Sequence, residues 1–291
     1  MVAMDCCVLD SRSELAEGPV WDPVEQVLWW VNIKAREIHR FDPATGQDVV
    51  YSTPTDVGSL GLREKGGLVV ALKTGFFFFD PPGRFTPVAE PERDLADNRF
   101  NDGKTDRQGR FWAGSLYDPD ESRATGGLWR LDTDLTCHRQ VDGIHASNGL
   151  AFSPDSRTAY YADSRQRTVW AFDFDADDGV LSNRRVFVAL AGDAGTPDGA
   201  AVDDDGCYWL TQPPAGLVVR YDRHGRADRT IRMPVSQPTC VAFGGPRLDV
   251  LYVTTATYRM PADKLALEPL AGSMFALDVG VSGPADARFA G

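Results

Sequence analysis

Six polar residues recur at nearly regular intervals and are suited to holding a cation. They occupy the same place in six similar phrases, five residues before a turn, and they are Glu17, Ser59, Asn101, Asn148, Asp198 and Thr239. The intervals are 42, 42, 47, 50 and 41 residues. Every member of this set, here called the polar ring, carries a side-chain oxygen and none is cysteine or histidine, which favours a hard divalent cation. Taken singly, each residue is better explained as a cap on a strand end at a wet channel mouth, and only the aligned set favours a cation.

The phrases that carry the polar ring predict how it would be assembled. Each combines a short strand, a turn rich in Gly, Pro or Asp, and a strand rich in aromatic and β-branched residues, as in DGAAVDDDGCYWLT from Asp198, which is typical of a hairpin. A further short strand ending in Asp follows each hairpin, as in FDPATG from Phe41. Six such repeats predict an all-β six-bladed β-propeller with four-stranded blades. The innermost strands of a propeller start around one central channel, so the polar ring would converge there.

Residues 1–291 are expected to form a single propeller domain whose ring closes through the chain ends. The strand-like segment VAMDCCVLD near the start should pair with SMFALDV, from Ser273 to Val279. Long helices are not expected. The irregular stretches Asp118 to Gly127 and Tyr258 to Gly272 are interpreted as loops on the faces of the propeller.

Composition excludes several classes of partner. With 42 acidic and 30 basic residues and a net charge of -12, no basic stripe is present to bind nucleic acid or an anionic membrane. No apolar stretch approaches the roughly 18 residues of a membrane span, and the N-terminus lacks the pattern of a secretion signal, so a cytoplasmic protein is predicted. The five cysteines form no CxxC pair and are interpreted as reduced thiols. Closure shields most strand edges, which predicts a monomer.

Several phrases resemble those of one family, that of senescence marker protein-30 (regucalcin), gluconolactonase and related sugar lactonases. The similarity extends over nearly the whole chain, and its most specific phrase is the long NRFNDGK segment. The phrases are EGPVW from Glu17, NRFNDGKTDRQGRFWAGS from Asn98, SNGLAFSPD from Ser147 and PDGAAVDDDG from Pro197. The resemblance implies a six-bladed propeller with one divalent metal ion.

The resemblance also implies roles for individual residues. Glu17, Asn148 and Asp198 match the family's metal ligands, and Arg99 and Asn101 match residues that bind the substrate. An arginine offers several donors to the hydroxyls and ring oxygen of a sugar lactone, and an amide can reach the substrate or a water.

This chain departs from the pattern at one place: some members have acidic residues after the glycine, small and apolar segment, where this chain has SLYDPDES. Tyr117, Asp118 and Glu121 are therefore candidates for sugar contacts, and the sequence does not choose among them. The identity of the sugar is left open with them.

The implied reaction is metal-assisted hydrolysis of an aldonolactone, of the gluconolactone type, to the aldonic acid. Asp198 is hypothesised to serve both as ligand and as general base. Ca²⁺, Mn²⁺, Zn²⁺, Mg²⁺ and Fe²⁺ are all compatible with an oxygen-rich site. Two alternatives stay open: the same chemistry on xylono- or arabinolactone, and a non-enzymatic propeller that binds metal or other proteins. Arg99 favours an enzyme, because a scaffold has no need for a charged donor beside a buried cation.

Overall fold

The fold is a six-bladed β-propeller, as the repeats predicted. The computed structural model describes residues 6–119 and 121–291, and within them the strands form six sheets of four antiparallel strands each. The innermost strand of every blade packs against those of its two neighbours, so the six strands surround a central channel. Within the described residues, no helix is long and apolar enough to cross a membrane.

The strand bounds follow the repeats. The N-terminal strand is β1, Cys7–Leu9. The first three blades comprise β2 Ala16–Asp22, β3 Val27–Asn32, β4 Glu37–Asp42 and β5 Gln47–Ser52; β6 Val57–Leu62, β7 Leu68–Leu72, β8 Gly75–Asp80 and β9 Arg84–Ala89; and β10 Asn98–Thr105, β11 Phe111–Tyr117, β12 Gly126–Leu131 and β13 Cys137–Ile144. The next two comprise β14 Ser147–Phe152, β15 Thr158–Asp163, β16 Thr168–Asp175 and β17 Val180–Ala189; and β18 Ala200–Val202, β19 Tyr208–Gln212, β20 Leu217–Tyr221 and β21 Ala227–Arg232. The last blade contains β22 Pro238–Gly244, β23 Val250–Thr255, the short helix α1 Ala262–Leu267 outside the sheet, and β24 Met274–Asp278.

The last blade closes the propeller by joining the two ends of the chain. Its strand order is β1-β24-β23-β22, with Cys7 opposite Phe275 and Leu9 opposite Met274. The predicted closure is therefore confirmed for this part of the N-terminal segment, while residues 1–5 lie outside the described residues. Because the strand that completes the blade comes from the other end of the chain, closure ties the first and last repeats together.

The predicted loop Tyr258 to Gly272 differs from expectation because it contains α1. The helix has six residues, follows Pro261, and has no buried side chain. A helix this short forms few intrahelical hydrogen bonds, and it contains too few residues to show an apolar period. The sequence pattern therefore did not indicate it.

In the third and fifth blades, a buried tryptophan and a buried aspartate stabilise the turn between the first two strands. Asp106 Oδ2 accepts from Trp112 Nε1 at 2.8 Å, and Asp203 Oδ2 accepts from Trp209 Nε1 at 2.9 Å. Each carboxylate also lies 2.7 Å from an arginine Nε in its own blade. Burial of both partners together satisfies the polar atoms while the indole rings fill the core.

Close packing of the innermost strands leaves no room for a side chain at Gly58. A Cβ there would lie 2.5 Å from the carbonyl carbon of Phe100 and 2.7 Å from the amide nitrogen of Asn101 in the next blade. We therefore expect Gly58→Ala to reduce the free energy of unfolding by at least about 2 kcal/mol, because backbone atoms must move apart. Denaturant unfolding would measure this, with Gly83→Ala as control, since a Cβ at Gly83 meets nothing within 4 Å. Equal stability of the two variants would contradict the proposed packing.

Candidate functional site

The polar ring comes together at one end of the central channel. The carboxyl groups of Glu17 and Asp198, which come from the first and fifth blades, lie close enough for each to affect the ionisation of the other. Asn101 Nδ2 donates to Asn148 Oδ1 at 2.9 Å. Thr239 Oγ1 donates to the carbonyl oxygen of Ala16 at 2.5 Å, directly beside Glu17. Residues that are far apart in the sequence thus share one small volume.

Irregularities in the innermost strands aim two of these side chains. The strand register shifts between Glu17 and Val20 in β2 and between Asn148 and Ala151 in β14. At each shift a glycine follows the functional residue with positive φ, namely Gly18 at 53° and Gly149 at 64°. This left-handed conformation is accessible to glycine at little cost, and a bulge of this kind redirects the neighbouring side chain.

Burial of two acids beside each other defines the electrostatics of the polar ring. Burial, followed by the nearby charge of Asp102, raises the pKa of Glu17 to about 8. Burial, followed by the charge of Glu17, raises the pKa of Asp198 well above its usual value. Two buried carboxylates that repel each other are costly unless a proton or a cation offsets their charge. A divalent cation would remove this repulsion.

The donor set fits such a cation. Among the described residues, no group of three or more His, Cys, Asp or Glu side chains is placed to hold a metal. The predicted set is of another kind, because its third oxygen belongs to the amide of Asn148 alongside the carboxylates of Glu17 and Asp198. Two carboxylates and an amide oxygen are the hard ligands that Ca²⁺ and Mg²⁺ prefer. Asn148 is held in place through Nδ2, which donates to Ser164 Oγ at 2.7 Å.

A chain of hydrogen bonds leads outward from the polar ring through Arg99. Arg99 Nη1 donates to Asn101 Oδ1 at 2.6 Å, and its Nε donates to Asp118 Oδ1 at 2.7 Å. Lys34 Nζ also donates to both carboxylate oxygens of Asp118, at 3.0 and 2.9 Å. Although partial burial would raise the pKa of Asp118, the charge of Arg99 and the bonds from Lys34 hold it below its usual value. Arg99 is therefore fixed rather than solvated.

The three candidates in the SLYDPDES segment are placed differently. Asp118 joins Arg99 as described, whereas the side chain of Glu121 is 71% exposed and pairs with Arg123 at 2.7 Å. The guanidinium carbon of Arg123 lies 4.8 Å from the centre of the Tyr117 ring. The structure thus connects Asp118 to the polar ring and places Glu121 at the exterior.

Two residues near the polar ring were not predicted from the sequence as part of the site. Lys34 lies in the turn after β3, where a lysine carries no distinctive signal. Asp102 directly follows Asn101 and is 5% exposed, and its Oδ2 accepts from the amide of Leu150 at 2.8 Å. Burial raises the pKa of Asp102 to about 6 despite this bond. Its place in the NDG phrase was the available signal, but the repeat alignment selected only one residue per blade.

The polar ring opens into a cleft of about 580 Å³, a size typical of small-molecule sites. Asn148 and Asp198 line it together with Ser164, Gln237 and Tyr258. The cleft therefore gives a ligand access to Asn148 and Asp198.

The other end of the channel is covered by the C-terminal segment 280–291. Asp286 Oδ1 lies 3.3 Å from Lys104 Nζ, and the amide of Phe289 donates to the carbonyl of Leu62 at 2.7 Å. Phe289 is completely buried. Access to the polar ring is consequently from the cleft side.

Comparisons with known proteins agree with this geometry. Residues 15–257 match the family model described as the SMP-30/gluconolactonase/LRE-like region. The chain is 41% identical over 287 residues to 6-deoxy-6-sulfogluconolactonase of Pseudomonas putida and 36% identical over 292 residues to regucalcin of Gallus gallus, with 98% of each chain covered in both cases. It also resembles the crystal structure of a calcium-binding regucalcin from Agrobacterium tumefaciens, with a TM-score of 0.93, 30% identity, and coverage of 97% of this chain and 96% of that one. These relatives support sugar-lactone hydrolysis as the activity, and they confirm the predicted family. The chain belongs to the SMP-30/gluconolactonase/LRE-like family.

Proposed function

We propose that this protein hydrolyses an aldonolactone to the aldonic acid with the help of one divalent metal ion held by Glu17, Asn148 and Asp198. The observation that carries the proposal is the buried Glu17–Asp198 pair, of which Asp198 lines an open cleft. This pair needs a countercharge, and the charge of Arg99, which donates to Asn101 Oδ1 at 2.6 Å, acts on both carboxyl groups.

The metal ion, when bound, supplies Lewis acidity that polarises the lactone carbonyl. Asp198 accepts a proton from the attacking water as general base. The bond between the water oxygen and the carbonyl carbon forms and the bond from that carbon to the ring oxygen breaks. Asp198 returns the proton it accepted to the ring oxygen, which becomes a hydroxyl group, and the second proton of the water stays with the new carboxylic acid. Arg99 and Asn101 orient the sugar, and Asp118 holds the guanidinium of Arg99 in position.

The names of relatives suggest where to begin with substrate and ion. The Pseudomonas relative is a 6-deoxy-6-sulfogluconolactonase, so a gluconolactone skeleton is the first choice for this chain. The Agrobacterium relative is a calcium-binding protein, so Ca²⁺ is the first ion to test. Xylono- and arabinolactone, and Mn²⁺, Zn²⁺, Mg²⁺ and Fe²⁺, complete the panel.

Acid release tests the proposal directly. Chelator-stripped protein is mixed with glucono-, xylono- and arabinolactone, before and after a single divalent ion is added, and spontaneous hydrolysis is subtracted. We expect catalysed hydrolysis only after an ion is restored. Tight metal binding without hydrolysis of any lactone would overturn the enzymatic proposal and favour a metal-binding or interaction propeller.

We expect Arg99→Met to lower kcat/KM for lactone hydrolysis by about 10- to 100-fold, because a charged hydrogen bond to the substrate is lost. Metal affinity, measured by calorimetry, should change little, since Arg99 is not a ligand. Arg123→Met is the matched control. The Arg123 side chain is exposed, and among the described acidic residues only Glu121, which is itself at the exterior, lies within ion-pair distance of it. Equal activity of the two variants would show that Arg99 does not contact the substrate.

A further inference from the structure

Cationic side chains are concentrated in the cleft above the polar ring. Arg165, Arg259 and Lys264 all line it, while Asp198 is the only acidic residue among its described lining. The chain as a whole has the opposite balance, with 42 acidic and 30 basic residues. A locally positive cleft on an acidic protein attracts an anionic ligand more strongly than a neutral ligand.

The cations around the site differ in whether an acid already neutralises them. Lys34 is 2.9 Å from both Asp56 and Asp118, and Arg99 is 2.7 Å from Asp118. Arg165 and Lys264 have no acidic partner within ion-pair distance in the described part of the chain. Their charge is therefore available to a ligand in the cleft, whereas that of Lys34 and Arg99 is largely offset.

The backbone that carries Arg165 is fixed beside the polar ring. Arg165 follows Ser164, whose Oγ accepts from Asn148 Nδ2 at 2.7 Å and donates to the carbonyl of Pro197 at 2.6 Å. The amide of Arg165 itself donates to Asp163 Oδ1 at 3.0 Å. Arg165 therefore directly follows a residue that contacts Asn148, and a ligand that contacts Asn148 lies close to the Arg165 backbone.

The segment that carries the other two cations is also anchored. The amide of Tyr258 donates to the carbonyl of Glu14 at 2.8 Å, and the Tyr258 carbonyl accepts from Gln237 Nε2 at 3.1 Å. The guanidinium carbon of Arg259 lies 4.9 Å from the Tyr258 ring centre, and Lys264 follows in α1. These contacts hold the segment over the cleft.

We propose that the lactone hydrolysed by this protein carries an anionic group at the end of the sugar remote from the lactone carbonyl, and that Arg165 and Lys264 bind this group. A phosphate, a sulfonate or a carboxylate has the required charge and acceptor oxygens. This inference rests on the proposed function, which places the carbonyl at the polar ring. The remote end of the sugar then extends into the cationic part of the cleft.

A pairwise comparison of substrates tests the inference. kcat/KM is measured for gluconolactone, for the same lactone with phosphate or sulfonate at carbon 6, and for glucarolactone, which has a carboxylate there. We expect the best anionic lactone to exceed gluconolactone by about tenfold or more, as a charged hydrogen bond provides. The ranking of the three anions identifies the group.

Variants assign the preference to the cleft. In Arg165→Gln/Lys264→Gln the ratio of kcat/KM for anionic to neutral lactone should fall towards one, mainly through a higher KM for the anionic lactone. Arg123→Gln, a charge change at the exterior, should keep the wild-type ratio. A wild-type ratio near one, or an undiminished ratio in the double variant, would overturn the inference.

Product binding separates this inference from the proposed function. Calorimetry on the metal-loaded protein compares gluconate with 6-phosphogluconate, and needs no turnover. If no lactone is hydrolysed, the proposed function fails, yet tighter binding of 6-phosphogluconate that is lost in the double variant still upholds the anion site. Equal binding of the two acids would overturn it.

Discussion

Asp198→Asn should lower kcat for lactone hydrolysis by about 10²- to 10⁴-fold, because an amide cannot accept the proton from the attacking water. The variant keeps a side-chain oxygen for the metal, so metal affinity should fall far less than kcat. Steady-state kinetics together with calorimetric metal titration would separate the two effects. The pH dependence of the residual rate should also lose the limb that reports the base.

A matched control for this experiment is Asp142→Asn, since the Asp142 side chain is 74% exposed and pairs with Arg139 at the surface. Its kcat should equal that of the wild type. If Asp198→Asn binds metal and retains near-normal turnover, Asp198 is not the general base, although the metal site would stand. If it loses metal altogether, Asp198 acts first as a ligand, and excess metal should then restore binding but not kcat.

Metal-free protein should lose stability as the pH rises from about 5 to above 8. Burial raises the pKa of Glu17 to about 8 in the folded protein, from an ordinary value of 4.5. Between these values the folded state holds a proton that the unfolded state has released. The stabilisation is therefore complete below the unfolded pKa and disappears as the pH passes the folded pKa. We expect Tm of the chelated protein to fall by at least about 4 °C over this interval.

Divalent metal should reverse this trend, because the ion offsets the charge of the Glu17 and Asp198 carboxylates in place of a proton. The gain in Tm on adding Ca²⁺ should be larger at pH 8 than at pH 5, where protons compete with the ion. Glu17→Gln should flatten the pH dependence of the chelated protein, whereas Glu121→Gln, at an exposed position, should leave it unchanged. An equal slope in wild type and Glu17→Gln would contradict the assignment.

Much of the fold could be predicted because the same pattern of strands and turns occurs in six repeats. Six hairpins at similar spacing leave few architectures, and the strand-like segments outside them account for closure through β1 and β24. The polar ring was also predictable, because equivalent positions in a propeller meet at its axis. The pairing of Glu17 with Asp198 needs no information beyond the repeat alignment and the fold.

Contacts made by turns and loops could not be predicted in this way. Lys34 reaches Asp118 across 84 residues of sequence, and nothing in either segment signals the contact. The choice of Asp118 over Glu121 depends on how one loop leaves β11, which a pattern of residue types does not determine. Helix α1 is too short for periodicity to register. The monomeric state and cytoplasmic location stay predictions.

The most direct test of the account is a parallel titration of chelated protein with Ca²⁺, or with the most effective ion of the panel, in which bound metal and lactone hydrolysis are measured in the same samples. Hydrolysis should rise in proportion to bound metal and saturate at one ion per chain, and Glu17→Gln should show much weaker binding and correspondingly little activity. Full hydrolysis by protein without bound metal, or unchanged metal binding in Glu17→Gln, would contradict a catalytic ion held by Glu17, Asn148 and Asp198.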